Sequence, residues 1–175
     1  MNKQEIYNFL NNLSLCLKDN LLTQKVKIVR KVKGVTPKGG EPEGNFIKLF
    51  LEPLIKEFLK EDSEGLIVEG IDSKGQTQFK GDFFGSKPAP DFRFKAPLPF
   101  TLVGEVKYGK LQLRSLATAL GQLITYIESS ESEAEQSQYG YLVFFDTKGS
   151  NKITEKEKDF IKLIWKRENI FIAII

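Results

Sequence analysis

Histidine is absent from all 175 residues. That removes Ser-His and Cys-His nucleophilic pairs, imidazole acids and bases, and His-ligated zinc or copper. Any catalysis must rest on carboxylates, lysine, hydroxyls or a hard metal ion. The one cysteine, Cys16, can form neither an internal disulfide nor a thiolate cluster. Iron–sulfur and structural zinc sites are thereby excluded, a reducing cytoplasm is the expected compartment, and Cys16 reads as a small core residue. No apolar run approaches membrane-spanning length, and the opening MNKQEIYNFLNNLSLCLKDN breaks its apolar pattern with Glu5 and asparagines, unlike a secretory leader. No membrane partner is expected.

Apolar residues make up 41% and charged residues 28% of the chain, with 14 Phe spread along it, a composition that supports one globular core over 1–175. The net charge of +3 is too mild to mark a polyanion binder, but its distribution is uneven. Lys25, Lys27, Arg30, Lys31, Lys33 and Lys38 follow one another without an acid, whereas Glu128, Glu131, Glu133 and Glu135 cluster without a base. Residues 1–40 read as an N-terminal helix and a basic segment packed on, or extending from, the core.

Ile6, Leu10, Leu13 and Leu17 recur at helical spacing and predict a helix ending near Asp19-Asn20. KVKIVRKVKG alternates like a strand, and TPKGGEPEG reads as a loop. Phe46, Phe50, Leu54 and Phe58, flanked by Ile47, Leu51 and Ile55, predict a core-facing helix over Asn45–Lys60, with Pro53 forcing a kink near Leu49 or a break near Glu52. LIVEGI, TQFKGDFFG, PDFRF and TLVGEVKY read as strands of a meander or mixed sheet. Leu113 to Ile127 predicts a helix, ESSESEAEQSQ a solvated loop, YGYLVFFD a buried strand, Thr154–Lys166 a helix capped by Thr154 and Glu157, and IFIAII a closing strand. Trp165 and Phe160 fall at core spacing on that last helix. The fold class is therefore α/β, a central mixed sheet flanked by helices.

Three segments carry an acid, one residue, then lysine: Asp72-Ser-Lys74, Glu105-Val-Lys107 and Asp146-Thr-Lys148. The first reads as a turn and the last as a strand end entering a loop. Glu105-Val-Lys107 lies inside an apolar strand, where alternation puts Glu105 and Lys107 on one face and Val106 on the other. Burying two charges there is costly unless they meet each other, a metal or a substrate. Asp91, in Ala-Pro-Asp-Phe, opens the preceding strand. If the strands are neighbours joined through KAPLPF, Asp91 and Glu105 offer two hard oxygens beside Lys107, a set suited to Mg²⁺, with Mn²⁺ as substitute. Simpler readings exist for each part: an Asx turn at Asp91, a solvated edge strand for Glu105 and Lys107, a polar helix shoulder for Gln122 and Tyr126. Lys87, Lys110 and Arg114 are placed to form a positive rim.

Pro90-Asp91, thirteen intervening residues, then Glu105-Val106-Lys107 resembles the signature of the PD-(D/E)XK nuclease superfamily, and Gln122-Leu-Ile-Thr-Tyr126 resembles the Q-x-x-x-Y element of its RecB-like branch. The resemblance covers about Glu43 to Asp146 and implies a restriction-endonuclease-like αβββαβ core, here extended by an N-terminal helix and a C-terminal helix and strand. It further implies Asp91, Glu105 and the Val106 carbonyl as metal ligands, Lys107 as the catalytic lysine, Glu43 rather than Glu41 as the helix-borne ligand, and Gln122 in the active site. Gly81-Asp82 is the candidate for the branch's glycine-aspartate element. The function implied is Mg²⁺-dependent endonucleolytic hydrolysis of DNA, with a homodimer serving a double-strand cut. The alternative is a nucleic-acid-binding or assembly protein on the same fold that does not cleave.

Overall fold

The computed structural model describes residues 1–68, 89–128, 138–149 and 153–175. Helix α1 (Lys3–Leu22) starts at a reciprocal cap in which Asn2 accepts from the Glu5 amide and Glu5 accepts from the Asn2 amide. It buries Ile6, Leu10, Leu13, Leu17 and Leu21, so the predicted stripe continues one step further than expected. Cys16 is only half-buried, contrary to expectation, and the small buried residue of α1 is Ser14, whose hydroxyl lies 2.8 Å from that of Tyr141.

The segment read as a strand is helix α2 (Lys25–Val35). The alternation of Val26 and Ile28 was the misleading feature: Val26 is exposed, and the buried pair is Ile28 with Val32, four residues apart on one helical face. Helix α3 (Pro42–Phe46) begins inside the expected loop, with Pro42 in its first turn, where the missing N–H costs nothing. It runs through a π turn (Ile47–Leu51) into α4 (Glu52–Leu59), which starts with Pro53 in its first turn. The widened turn is the predicted interruption, and it moves Ile47, Leu51 and Ile55 to full burial while Phe50, Leu54 and Phe58 become the half-buried flank.

Strands β1 (Leu66–Val68), β2 (Phe92–Phe94) and β3 (Leu102–Gly109) are antiparallel neighbours. Strands β4 (Tyr139–Asp146) and β5 (Ile170–Ile174) add in parallel, giving a mixed five-stranded sheet in the order β1-β2-β3-β4-β5. Helices α5 (Leu113–Glu128) and α6 (Glu155–Glu168) make the two parallel crossovers, the latter with the expected Thr154–Glu157 cap. The fold is α/β with helices on both faces of the sheet. The α1–α4 side closes over Phe92, Phe94, Leu102, Val106, Tyr141, Val143 and Phe145. The α5 side closes over Val103, Leu142, Ile170 and Ile172. Trp165 packs against Tyr7, Tyr139 and Phe171, whereas Phe160 is exposed and not a core residue.

Among the described residues no helix is long and apolar enough to cross a membrane. Asp72-Ser-Lys74, the TQFKGDFFG strand with Gly81-Asp82, Lys87 and most of the Ser/Glu loop lie outside the described residues.

Candidate metal centre and cleft

The site arises where β2 begins. Phe92, Arg93 and Phe94 pair with Gly104, Val103 and Leu102, and the chain before Phe92 turns away from β3. A strand presents the N–H and C=O of alternate residues to the same side, so Gly104, Val106 and Tyr108 all face this edge. Two carboxylates occupy it. Asp91 Oδ2 accepts the Val106 N–H at 2.6 Å, and Glu43 Oε2, from α3, accepts the Tyr108 N–H at 3.2 Å. The Val106 carbonyl therefore opens toward the same edge as Asp91.

Gly104 makes this approach possible: a Cβ there would overlap the ring of Phe92, which crosses β3 directly after Asp91. Glu105 and Lys107 project to the opposite face from Val106, as alternation requires, and share that face with Val103 beneath α5. Strand β3 is interior to the sheet, and Glu105 is 3% exposed, so the reading of a solvated edge strand does not hold. Lys107 Nζ donates to Glu105 Oε1 at 2.6 Å and lies 3.4 Å from Glu43 Oε1.

One carboxylate oxygen each from Glu43, Asp91 and Glu105 lies within 4.8 Å of the others. Around an octahedral ion with bonds of about 2.1 Å, ligand atoms stand roughly 3 Å apart when adjacent and roughly 4 Å when opposite, so small side-chain rotations bring the three onto one ion. With all groups ionised, three carboxylates against one ammonium leave a charge of −2, the complement of a divalent cation.

The protein alone bears this charge at a cost. Burial, and then the charge of Glu105, pushes the Asp91 carboxyl up to about 7. Burial also raises Glu105 and Glu43, despite Lys107 beside each. For Lys107, burial pulls downward, but the Glu105 hydrogen bond and the charges of Glu105, Glu43 and Asp91 outweigh it, so the ammonium is held protonated. Three hard oxygen donors short of positive charge fit Mg²⁺ or Mn²⁺ by donor type.

Of the predicted site residues, Glu43, Asp91, Glu105, Lys107 and Gln122 line one open cleft of about 450 Å³, together with Glu41, Ala89, Tyr108, Thr118 and Tyr126, whereas Val106 is fully buried and not part of its wall. Glu41 reaches the wall but not the carboxylate cluster, which contains Glu43. On α5, Gln122 Nε2 lies 3.5 Å from the Tyr126 hydroxyl, the outer limit of a hydrogen bond, and the buried Gln122 Oε1 has no partner among the described residues. Burial and the charges of Glu105 and Asp91 raise the Tyr126 phenol, keeping it a neutral donor.

Sequence reasoning passed over Thr118 and the Tyr108 amide. Thr118 stands four residues before Gln122, so it extends the Gln122–Tyr126 stripe by one helical turn. The last acid-x-lysine segment is structural: Asp146, 5% exposed, accepts the amides of Leu111, Lys148 and Gly149 and ties two loops together. Comparisons with protein-family models, curated proteins and solved structures find no match to this chain.

Proposed function

We propose that the chain is a magnesium-dependent endonuclease of PD-(D/E)XK type, with a restriction-endonuclease-like core, that hydrolyses DNA phosphodiester bonds. The observation that carries this reading is the convergence of Glu43, Asp91 and Glu105 with Lys107 in one open cleft, all three carboxyls raised by burial. Asp91, Glu105, the Val106 carbonyl and Glu43 would hold the ion. Bound there, a divalent cation supplies a water of lowered pKa and neutralises phosphate charge.

The chain's own groups do the rest. Lys107, kept charged by its three acidic neighbours, presents an ammonium to an attacking water or to charge building on a phosphate oxygen. Tyr126 orients Glu105 by hydrogen bonding, and Gln122, whose carbonyl oxygen has no partner among the described residues, is available to position water or substrate. The expected result is nicking of supercoiled plasmid in Mg²⁺ or Mn²⁺, abolished by EDTA and by Asp91→Ala or Lys107→Ala.

A second reading is favoured by the same hydrogen bonds. Lys107 already neutralises Glu105, and two backbone amides already occupy Asp91 and Glu43, as in a self-contained structural network. It predicts metal-independent nucleic-acid binding with no nicking under any divalent ion.

A further inference from the structure

Helix α2 carries Lys25, Lys27, Arg30, Lys31 and Lys33 and no acidic residue. With Ile28 and Val32 turned inward, the helical period of 3.6 places Arg30, Gly34, Lys27 and Lys31 in that order around one exposed arc. None of these bases has a carboxylate partner among the described residues. Lys27 with Arg30, and Lys27 with Lys31, are like-charge neighbours at helical spacing, and Lys25 and Lys27 stand at the positive end of the helix dipole; each arrangement costs helix stability. A polyanion laid on the arc would reverse both penalties. Gly34, in the middle of the arc with open space above its Cα, leaves room for a bulky backbone to approach.

The arc is joined to the candidate metal centre. Asn45, at the end of α3, donates to Thr36 at the end of α2, and Lys31 Nζ sits 5.5 Å over the Phe50 ring on the π turn that follows α3. At the other end of α2, Lys25 Nζ lies 5.6 Å from the Phe145 ring, which stacks on Tyr108. Tyr108 in turn lines both the cleft and an adjoining hollow shared with Lys107, Lys110, Gln112 and Ser115. These contacts set α2 beside the elements that carry Glu43 and Tyr108.

We infer that α2 is a docking helix for the phosphate backbone of a nucleic acid, holding the strand that enters the Glu43–Asp91–Glu105 cleft. This rests on reading that cleft as a nucleic-acid site. The helix is about 16 Å long, the rise of roughly five phosphates along one strand. A membrane surface fits less well. The apolar stripe of α2 is already buried in the core, and its two exposed valines, Val26 and Val35, lie on opposite sides of the helix with no continuous face to insert.

The test is fluorescence anisotropy of a labelled mixed-sequence DNA duplex over a NaCl series in EDTA. K27Q/R30Q/K31Q is compared with K156Q/K158Q/K162Q on α6, which loses the same net charge. The α2 variant is expected to lower the slope of log K against log salt by roughly two to three, and affinity by roughly tenfold or more, while the α6 variant keeps the wild-type slope. An unchanged slope in the α2 variant overturns the inference. So does an equal fall in both variants, or loss of binding to phosphatidylserine vesicles with DNA binding intact. The single substitution R30Q, expected to remove roughly one unit of slope, serves if the triple variant fails to fold. Because binding is read without divalent metal, a chain that docks DNA through α2 yet never nicks plasmid refutes the hydrolase reading alone, and one that nicks with an unaltered slope refutes the α2 inference alone.

Discussion

Replacing Asp91 by asparagine separates a functional carboxylate from a structural one, because the two predict opposite changes in stability. Its carboxyl, ordinarily near 3.8, is raised to about 7 by burial and by Glu105. Between those two values the unfolded chain releases a proton that the folded chain keeps, so stability falls as pH rises and the full penalty is present only above about 7. That rise corresponds to about 4 kcal/mol. The asparagine of D91N would escape the penalty and still accept the Val106 amide; the charge assistance of that bond in the wild type is already included in the raised value.

The net gain is at most about 4 kcal/mol, or roughly 8–16 °C in Tm for a chain of this size, in EDTA at about pH 8 and vanishing near pH 4. Magnesium narrows the difference. At a hundred times its dissociation constant a ligand bound only by the folded state adds about 2.7 kcal/mol, available to the wild type and denied to D91N. Thermal unfolding followed by circular dichroism, with EDTA or Mg²⁺ across that pH range, reads both effects. A lower Tm for D91N in EDTA, together with a wild-type Tm that does not respond to pH or Mg²⁺, would refute the argument and leave Asp91 as a turn residue satisfied by Val106.

Gly104→Ala drives a Cβ into the Phe92 ring, and because Phe92 follows Asp91 the displacement reaches the cluster; a loss of about 1–3 kcal/mol by urea unfolding is expected, together with loss of the Mg²⁺-dependent rise in Tm. Asp146→Ala strands the amides of Leu111, Lys148 and Gly149 and is expected to cost about 3 kcal/mol, measurable as a shift in urea midpoint without change in slope. Tyr141→Phe leaves Ser14 its bond to the Leu10 carbonyl and is expected to cost only about 1 kcal/mol in the same assay.

Elements whose burial is decided by their own repeat were legible in the sequence. The stripe of α1, the apolar runs of β4 and β5, the α5 periodicity and the Thr154–Glu157 cap of α6 appear where expected. Legibility failed where burial depends on partners distant in the chain. Alternation over Val26 and Ile28 is too short to distinguish period 2 from period 3.6, and only packing against the rest of the core shows that Ile28 and Val32 are the inward pair. Phe160 has core spacing yet faces outward, because α6 covers the sheet through Ile161 and Ile164. Asp91, Glu105 and Lys107 were legible as a group because strand alternation and hairpin pairing are short-range rules. Glu43 required the resemblance, since no local rule brings a helix sixty residues earlier to the edge of β3.

The location of the cluster follows from a property of β3 that neither half of the strand has alone. Its first three residues are paired on both sides, which fixes the strand in the interior of the sheet, while its later residues keep β4 on one side and, among the described residues, meet no strand on the other. Backbone amides left without a strand partner need acceptors, and here carboxylates supply them. Carboxylates gathered on a half-open interior strand are partly desolvated, which is why burial dominates the shifts of Asp91, Glu43 and Glu105. The opening that leaves the cleft accessible is thus also what leaves the acids short of positive charge. If that is the physical origin of the site, removing the charge of one acid should relieve its neighbour. In Glu105→Gln the Asp91 carboxyl loses the charged group that stands second only to burial in raising it, and it should titrate closer to its ordinary value, read by carbon-detected NMR of the aspartate carboxyl. An unmoved Asp91 titration in that variant would show that the acids do not form one electrostatic unit.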